Sequence, residues 1–187
     1  MKIGLYDVDS HNFPNLALMK ISAYHKAKGD TVEPIMFLKK YDIAYVAKVF
    51  GNEYSQMDET AIQADEIIYG GTGFAITVEN GKEVYHPEKD KPLPDYIESQ
   101  YPDYSLYGIK DVAYGFLTRG CPNNCPFCIV SHKEGRFSYK VADLRQFYNR
   151  QKVIKLLDPN ILAYKEHIEL LQQLIDSKAK VDFNQLL

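Results

Sequence analysis

The sequence predicts an α/β protein: an N-terminal doubly wound parallel sheet, followed by the first part of an incomplete parallel β/α barrel of the TIM type. Three observations carry this reading. Short apolar runs alternate with segments of helical spacing, polar or glycine-rich loops follow the strands at the end where such sheets bind ligands, and the rhythm breaks once, over residues 74–107. Pro87, Pro92, Pro94 and Pro102 punctuate that break, which is taken as the linker between a domain over residues 1–107 and another over residues 108–187.

In the first half, Ile3, Leu5, Tyr6 and Val8 predict a strand over residues 2–8 that enters the polar loop Asp7-Val8-Asp9-Ser10. Pro14 suits the first turn of a helix whose apolar face is Leu16, Leu18, Met19, Ile21, Tyr24 and Ala27, stopped by Gly29. Further strands are expected over residues 31–38 and 43–50, a short helix over 58–64, and a buried strand over 66–69 leading into Gly70-Gly71-Thr72-Gly73. Asn80-Gly81 between apolar pairs signals a hairpin. In the second half, a strand over 112–118 leads into a cysteine-rich loop. A helix over 142–148, a strand over 152–157, an amphipathic helix over 165–177 and a last strand from Val181 follow.

Composition sets outer bounds. An apolar share of 45% is enough for a buried core, and a net charge of −3 gives no sign of a basic nucleic-acid surface. No apolar run approaches the roughly 20 residues of a membrane-spanning helix. With no signal peptide at Met1 and reduced cysteines, the expected location is the cytoplasm, with no membrane partner.

All three cysteines of the chain stand within Cys121-Pro122-Asn123-Asn124-Cys125-Pro126-Phe127-Cys128. A [4Fe–4S] cluster usually takes four thiolates. Three leave one iron open to a non-protein ligand, as a three-ligand zinc site leaves a position for water or substrate. Gly120, Pro122, Pro126 and the Asn123-Asn124 pair suit a loop that must turn several sulfurs inward. Zinc is the alternative, with His132 as a fourth ligand, but paired C-x2-C knuckles are absent. A disulfide with a spare thiol would need an oxidising compartment.

The run Thr118-Arg119-Gly120-Cys121 through Cys128, with Phe127 before the last cysteine, resembles the cluster loop of the radical S-adenosylmethionine superfamily. The resemblance implies that Cys121, Cys125 and Cys128 each hold one iron of a [4Fe–4S] cluster, that S-adenosylmethionine chelates the fourth, and that Phe127 lies near the adenine. It implies reductive cleavage of the cofactor and radical chemistry on an unknown substrate, fed by an electron donor such as a flavodoxin or ferredoxin. Asp158, after the second barrel strand, falls where a strand end touches S-adenosylmethionine in that family; Asp158-Pro159-Asn160 is equally a helix-starting turn. Six barrel units would need roughly 190 residues, and residues 112–187 supply fewer than half. The expectation is therefore a fragment: a truncated reading frame, a shortened chain, or half of a barrel that another chain completes, its last strand near residues 185–187 an exposed edge.

Sheet domains ahead of such a barrel often resemble the cobalamin-binding fold. Asp9-Ser10-His11-Asn12-Phe13-Pro14 is similar to the D-x-H-x-x-G loop whose histidine can ligate cobalt, with Pro14 in place of glycine, and Gly70-Gly71 is similar to the double glycine beside the nucleotide tail. The serine motif expected after the third strand is absent. Cobalamin contacts at His11, Gly70 and Gly71 therefore stand beside a bland reading, in which His11 is a solvated loop residue. Arg119, Lys133 and Arg136 flank the cysteine loop as candidates to balance thiolates or steady a carboxylate. His25, His86 and His167 read as surface residues. The remaining functional alternatives are a non-catalytic module holding zinc or a structural cluster, and an inactive truncated fragment.

Overall fold

Ile3 and Leu5 alternate with Gly4 and Tyr6, and this period of two forms the strand β1 (Lys2–Asp7) at the centre of the first sheet. The computed structural model describes residues 1–10, 12–36, 38–51, 55–58, 60 and 62–184, and the chain divides into two units, Met1–Tyr107 and Gly108–Leu187. In the first, β1 is followed by α1 (Leu16–Ala27), β2 (Thr31–Pro34), β3 (Lys40–Ala47) and β4 (Gln63–Gly70). The four strands form one sheet of order β2-β1-β3-β4, parallel throughout, with Ile3 opposite Ile43 and Ala47 opposite Gly70. The connections depart to opposite sides of β1, so the topological switch lies between the C-terminal ends of β1 and β3.

The sheet's alternation sends Ile3, Leu5 and Ala47 to one face, where they pack with Leu18 and Ile21 of α1. Ala44 and Val46 go to the other, with Ile62. Asn15 caps α1, its Oδ1 accepting from Leu18 N at 3.1 Å; Pro14 therefore precedes the cap instead of occupying the first turn. The expected strand over 43–50 lies three residues earlier, and the one over 31–38 ends at Pro34. Of the helix expected over 58–64, residues 59 and 61 lie outside the described residues, and Gln63 already belongs to β4. That strand is only partly buried because, among the described residues, it pairs on one side alone, with β3.

The hairpin is β5 (Ile76–Glu79) and β6 (Lys82–Tyr85), joined by Asn80 and Gly81, both at positive φ (51° and 75°), as a tight primed turn requires. The stretch read as a linker also carries α2 (Asp95–Glu98), whose Ile97 enters the α1-side core. Asp103 accepts from Ser22 Oγ and Lys26 Nζ, each at 2.6 Å, and Tyr107 donates to Asp7. Residues 93–107 are thus a strap across α1.

In the second unit, β7 (Val112–Gly115), β10 (Val153–Leu156) and β11 (Lys180–Phe183) form a parallel sheet of order β11-β10-β7, Val153 standing opposite both Val112 and Lys180. A small antiparallel pair, β8 (Thr118–Arg119) and β9 (Tyr139–Lys140), brackets the cysteine loop and a one-turn α3 (Val130–Lys133). The helix expected over 142–148 is a single 3-10 turn at Leu144–Gln146, closed by a capping box between Asp143 and Gln146. Gln173 of α4 (His167–Ser177) accepts from Leu144 N at 2.9 Å, tying that turn to the helix. Ile154 and Leu156 of β10 and Leu170 and Leu174 of α4 are buried. Among the described residues the parallel sheet of the second unit has these three strands, and residues 185–187, where the sequence placed the end of the last strand, lie outside them.

Candidate metal centre

The cysteine loop is closed at its root. Gly120, at φ +81°, lies so near the following segment that a Cβ there would stand 2.1 Å from the Phe137 carbonyl oxygen, so only glycine fits both the dihedral and the space. Cys121 N donates to Gly135 O at 3.1 Å and Gly120 N to Glu134 Oε2 at 3.1 Å. Arg119 Nη1 pairs with Glu134 Oε1 at 2.5 Å, while its guanidinium lies 3.8 Å from the Phe116 ring centroid. Arg119 thus pairs with a carboxylate of the loop's own far end, Glu134.

Inside the loop, Cys128 N donates to Cys125 O at 3.0 Å, and Ser131 Oγ donates to Asn124 Oδ1 at 3.4 Å. Cys121, Cys125 and Cys128 are half-buried free thiols. Phe127 stands out from the loop, 89% exposed. His132 and Arg136 are exposed and Lys133 half-buried. Among the described residues, no three His, Cys, Asp or Glu side chains gather into a group that could hold a metal ion. The donor chemistry nonetheless suits an iron–sulfur cluster, since the three unpaired thiols share one closed loop and a cluster spreads its thiolates over several irons instead of one ion.

The turn after β10 supports this loop from below. Asp158 is 1% exposed. Its Oδ2 accepts from Leu117 N at 3.0 Å, and its Oδ1 from Thr118 N at 2.5 Å and Thr118 Oγ1 at 2.7 Å. Burial pushes its carboxyl above the ordinary range, opposed by the donors from Thr118 and Leu117. The carboxylate thus faces the backbone beneath the loop.

Two residues further, Asn160 Oδ1 accepts from Ala163 N at 3.2 Å and caps a 3-10 turn, while Nδ2 donates to Cys121 Sγ at 3.8 Å. The Asn160 carbonyl accepts from Ser138 Oγ at 3.2 Å. Sequence reasoning treated Asn160 only as part of a turn; its reach to Cys121 had no local signal, because the two are 39 positions apart.

In the first unit, His11 lies outside the described residues. Asp9, 6% exposed, spans the switch between β1 and β3: its carboxylate accepts from Val49 N at 2.9 Å, Phe50 N at 2.8 Å and Ser55 Oγ at 2.7 Å. Gly71, at φ +102°, packs against that loop, where a Cβ would meet Lys48 O at 2.3 Å. Gly70 has open space around a Cβ. Of the histidines read as surface residues, His86 and His167 are half-buried. His25 is 3% exposed, held between Asp30 Oδ2 at 2.7 Å and the Tyr45 hydroxyl at 3.0 Å. Its burial arises from partners outside its own helix.

No family model, curated protein or solved structure matches this chain. Among the described residues, no helix is long and apolar enough to cross a membrane.

Proposed function

We propose that the second unit is part of a radical S-adenosylmethionine enzyme, with Cys121, Cys125 and Cys128 as thiolate ligands of a [4Fe–4S] cluster and an open corner for the cofactor. The single observation that carries this is the closure of the loop: every thiol of the chain sits on one segment whose two ends are pinned together by Cys121 N, Gly135 O, Gly120 N and Glu134. When bound, the cluster and S-adenosylmethionine supply one-electron cleavage of a sulfonium and a radical that takes hydrogen from the substrate. The chain's residues supply the rest. The three thiolates fix the cluster, Phe127 offers an exposed aromatic face for an adenine, and Glu134 and Asp158 hold the root of the loop.

The parallel order β7-β10-β11, with the cysteine loop and the 158–160 turn following the C-terminal ends of β7 and β10, supports the start of a β/α barrel. The reading for the first unit is a cobalamin-domain-like sheet. Asp9 already takes the N–H groups of Val49 and Phe50 at its switch point, which favours a sheet that carries no cobalamin. An electron donor of the flavodoxin or ferredoxin type would complete the system, in the cytoplasm.

Anaerobic reconstitution tests this directly. Iron and sulfide analysis should give about four of each per chain, the number that defines the cluster. The electron paramagnetic resonance signal of the reduced protein should change on adding S-adenosylmethionine, and 5′-deoxyadenosine should form under reduction. Stoichiometric zinc without sulfide would replace this reading with a non-catalytic metal module. A cluster without 5′-deoxyadenosine would leave a binding fragment that turns nothing over.

A further inference from the structure

We infer that Asn160 tunes the electron affinity of the metal centre through Cys121, an inference that rests on the cluster reading above. The amide of Asn160 does two jobs at once. Its oxygen is committed to Ala163 N at 3.2 Å, which fixes the rotation of the amide and leaves the nitrogen aimed at Cys121 Sγ at 3.8 Å. The main chain of Asn160 is held as well, by Ser138 Oγ at 3.2 Å, and the buried Asp158 anchors the same turn to Thr118 and Leu117. The amide donor is therefore fixed by bonds that do not involve the sulfur.

A thiolate is a stronger acceptor than a thiol, and an N–H directed at a cluster sulfur withdraws electron density from it. Adding an electron increases the negative charge on the sulfurs, so such a donor favours the reduced state and raises the reduction potential. Among the described residues, Cys121 is the thiol of the three that an amide side chain approaches. The effect is thus local to one corner of the site.

The test uses the full chain, reconstituted anaerobically, with Asn160→Ser and Asn160→Asp. Both substitutions keep an oxygen to cap Ala163 and remove the N–H; the aspartate also places a negative charge beside the sulfur. The expected result is unchanged iron and sulfide content, with a lower reduction potential in both variants and the larger drop in Asn160→Asp. At a fixed reductant poise the ratio of reduced to oxidised cluster should fall about tenfold in Asn160→Asp, a shift of about 59 mV for one electron. Wild-type potential in both loaded variants overturns the role of Asn160 and leaves the cluster reading standing. Loss of iron in both variants makes Asn160 a structural residue and likewise overturns it. A wild-type chain that takes up neither iron nor sulfide removes the cluster reading, and this inference with it.

Discussion

Asp158 and Thr118, 40 positions apart, are joined by a 2.7 Å hydrogen bond from the Thr118 hydroxyl to Asp158 Oδ1. The backbone N–H groups of Leu117 and Thr118 end on the same buried carboxylate. One side chain thus fixes the point where β7 hands the chain to the cysteine loop.

Replacing Asp158 by alanine orphans those donors, at roughly 1–3 kcal/mol each. Three donors end on that carboxylate, so urea unfolding of Asp158→Ala should show a loss of at least roughly 3 kcal/mol. Asp158→Asn, which keeps one acceptor oxygen, should lose less. Equal midpoints for wild type and the alanine variant would refute the anchoring role.

Glu134 closes the loop through Arg119 and Gly120. Charge-assisted hydrogen bonds contribute roughly 1.5–3 kcal/mol, and about 1.4 kcal/mol is tenfold in an opening equilibrium. Limited proteolysis within residues 120–135 should accelerate at least about tenfold in Glu134→Ala, provided reclosing outpaces cleavage. A cleavage rate unchanged from wild type would mean that the loop is held by other contacts.

Gly71 and Gly70 are adjacent but not equivalent. Gly71→Ala forces a Cβ to 2.3 Å from Lys48 O at a φ of +102°, whereas Gly70→Ala meets nothing within 4 Å. Thermal unfolding should show a cost of roughly 1–3 kcal/mol for the first and less than about 1 kcal/mol for the second, the scale of an unstrained glycine replacement. Similar losses at both positions would contradict the packing described here.

Burial raises the Tyr45 hydroxyl to about 12. In the unfolded chain a tyrosine ionises near about 10. The folded state holds the proton more tightly, so this contribution to stability is fully present below pH ~10 and is lost as pH rises through about 12. Tyr107 is raised too, by burial and its hydrogen bond to Asp7, and shares the decline. Urea midpoints measured between pH 10 and 12 should fall for wild type and fall less steeply for Tyr45→Phe; parallel slopes would exclude Tyr45 as a source.

The parts of the fold that the sequence displays are those with local causes. The alternation of Ile3 and Leu5, the spacing of Leu18 and Ile21, and the Asn80-Gly81 turn each encode their element within a few residues. The position of β3 does not, because Asp9 captures Val49 and Phe50 from a residue about 40 positions earlier and draws the chain off the sheet. The 142–148 segment carries helical spacing, yet a single 3-10 turn forms there, and the bond from Leu144 N to Gln173 of α4 is a contact that spacing does not display. His25 looks like a surface residue until Asp30 and Tyr45 close around it. For the site, the spacing of Cys121, Cys125 and Cys128 was readable directly, whereas Glu134 and Asn160 acquire meaning only through contacts made in three dimensions.

Because Cys121 N meets Gly135 O, the sulfur-bearing segment leaves and rejoins the protein at almost one place. Such a segment is a cassette: its interior can lengthen or shorten without pulling on the sheet. A change of length between Cys128 and Gly135 should therefore leave the three-stranded sheet of the second unit in register.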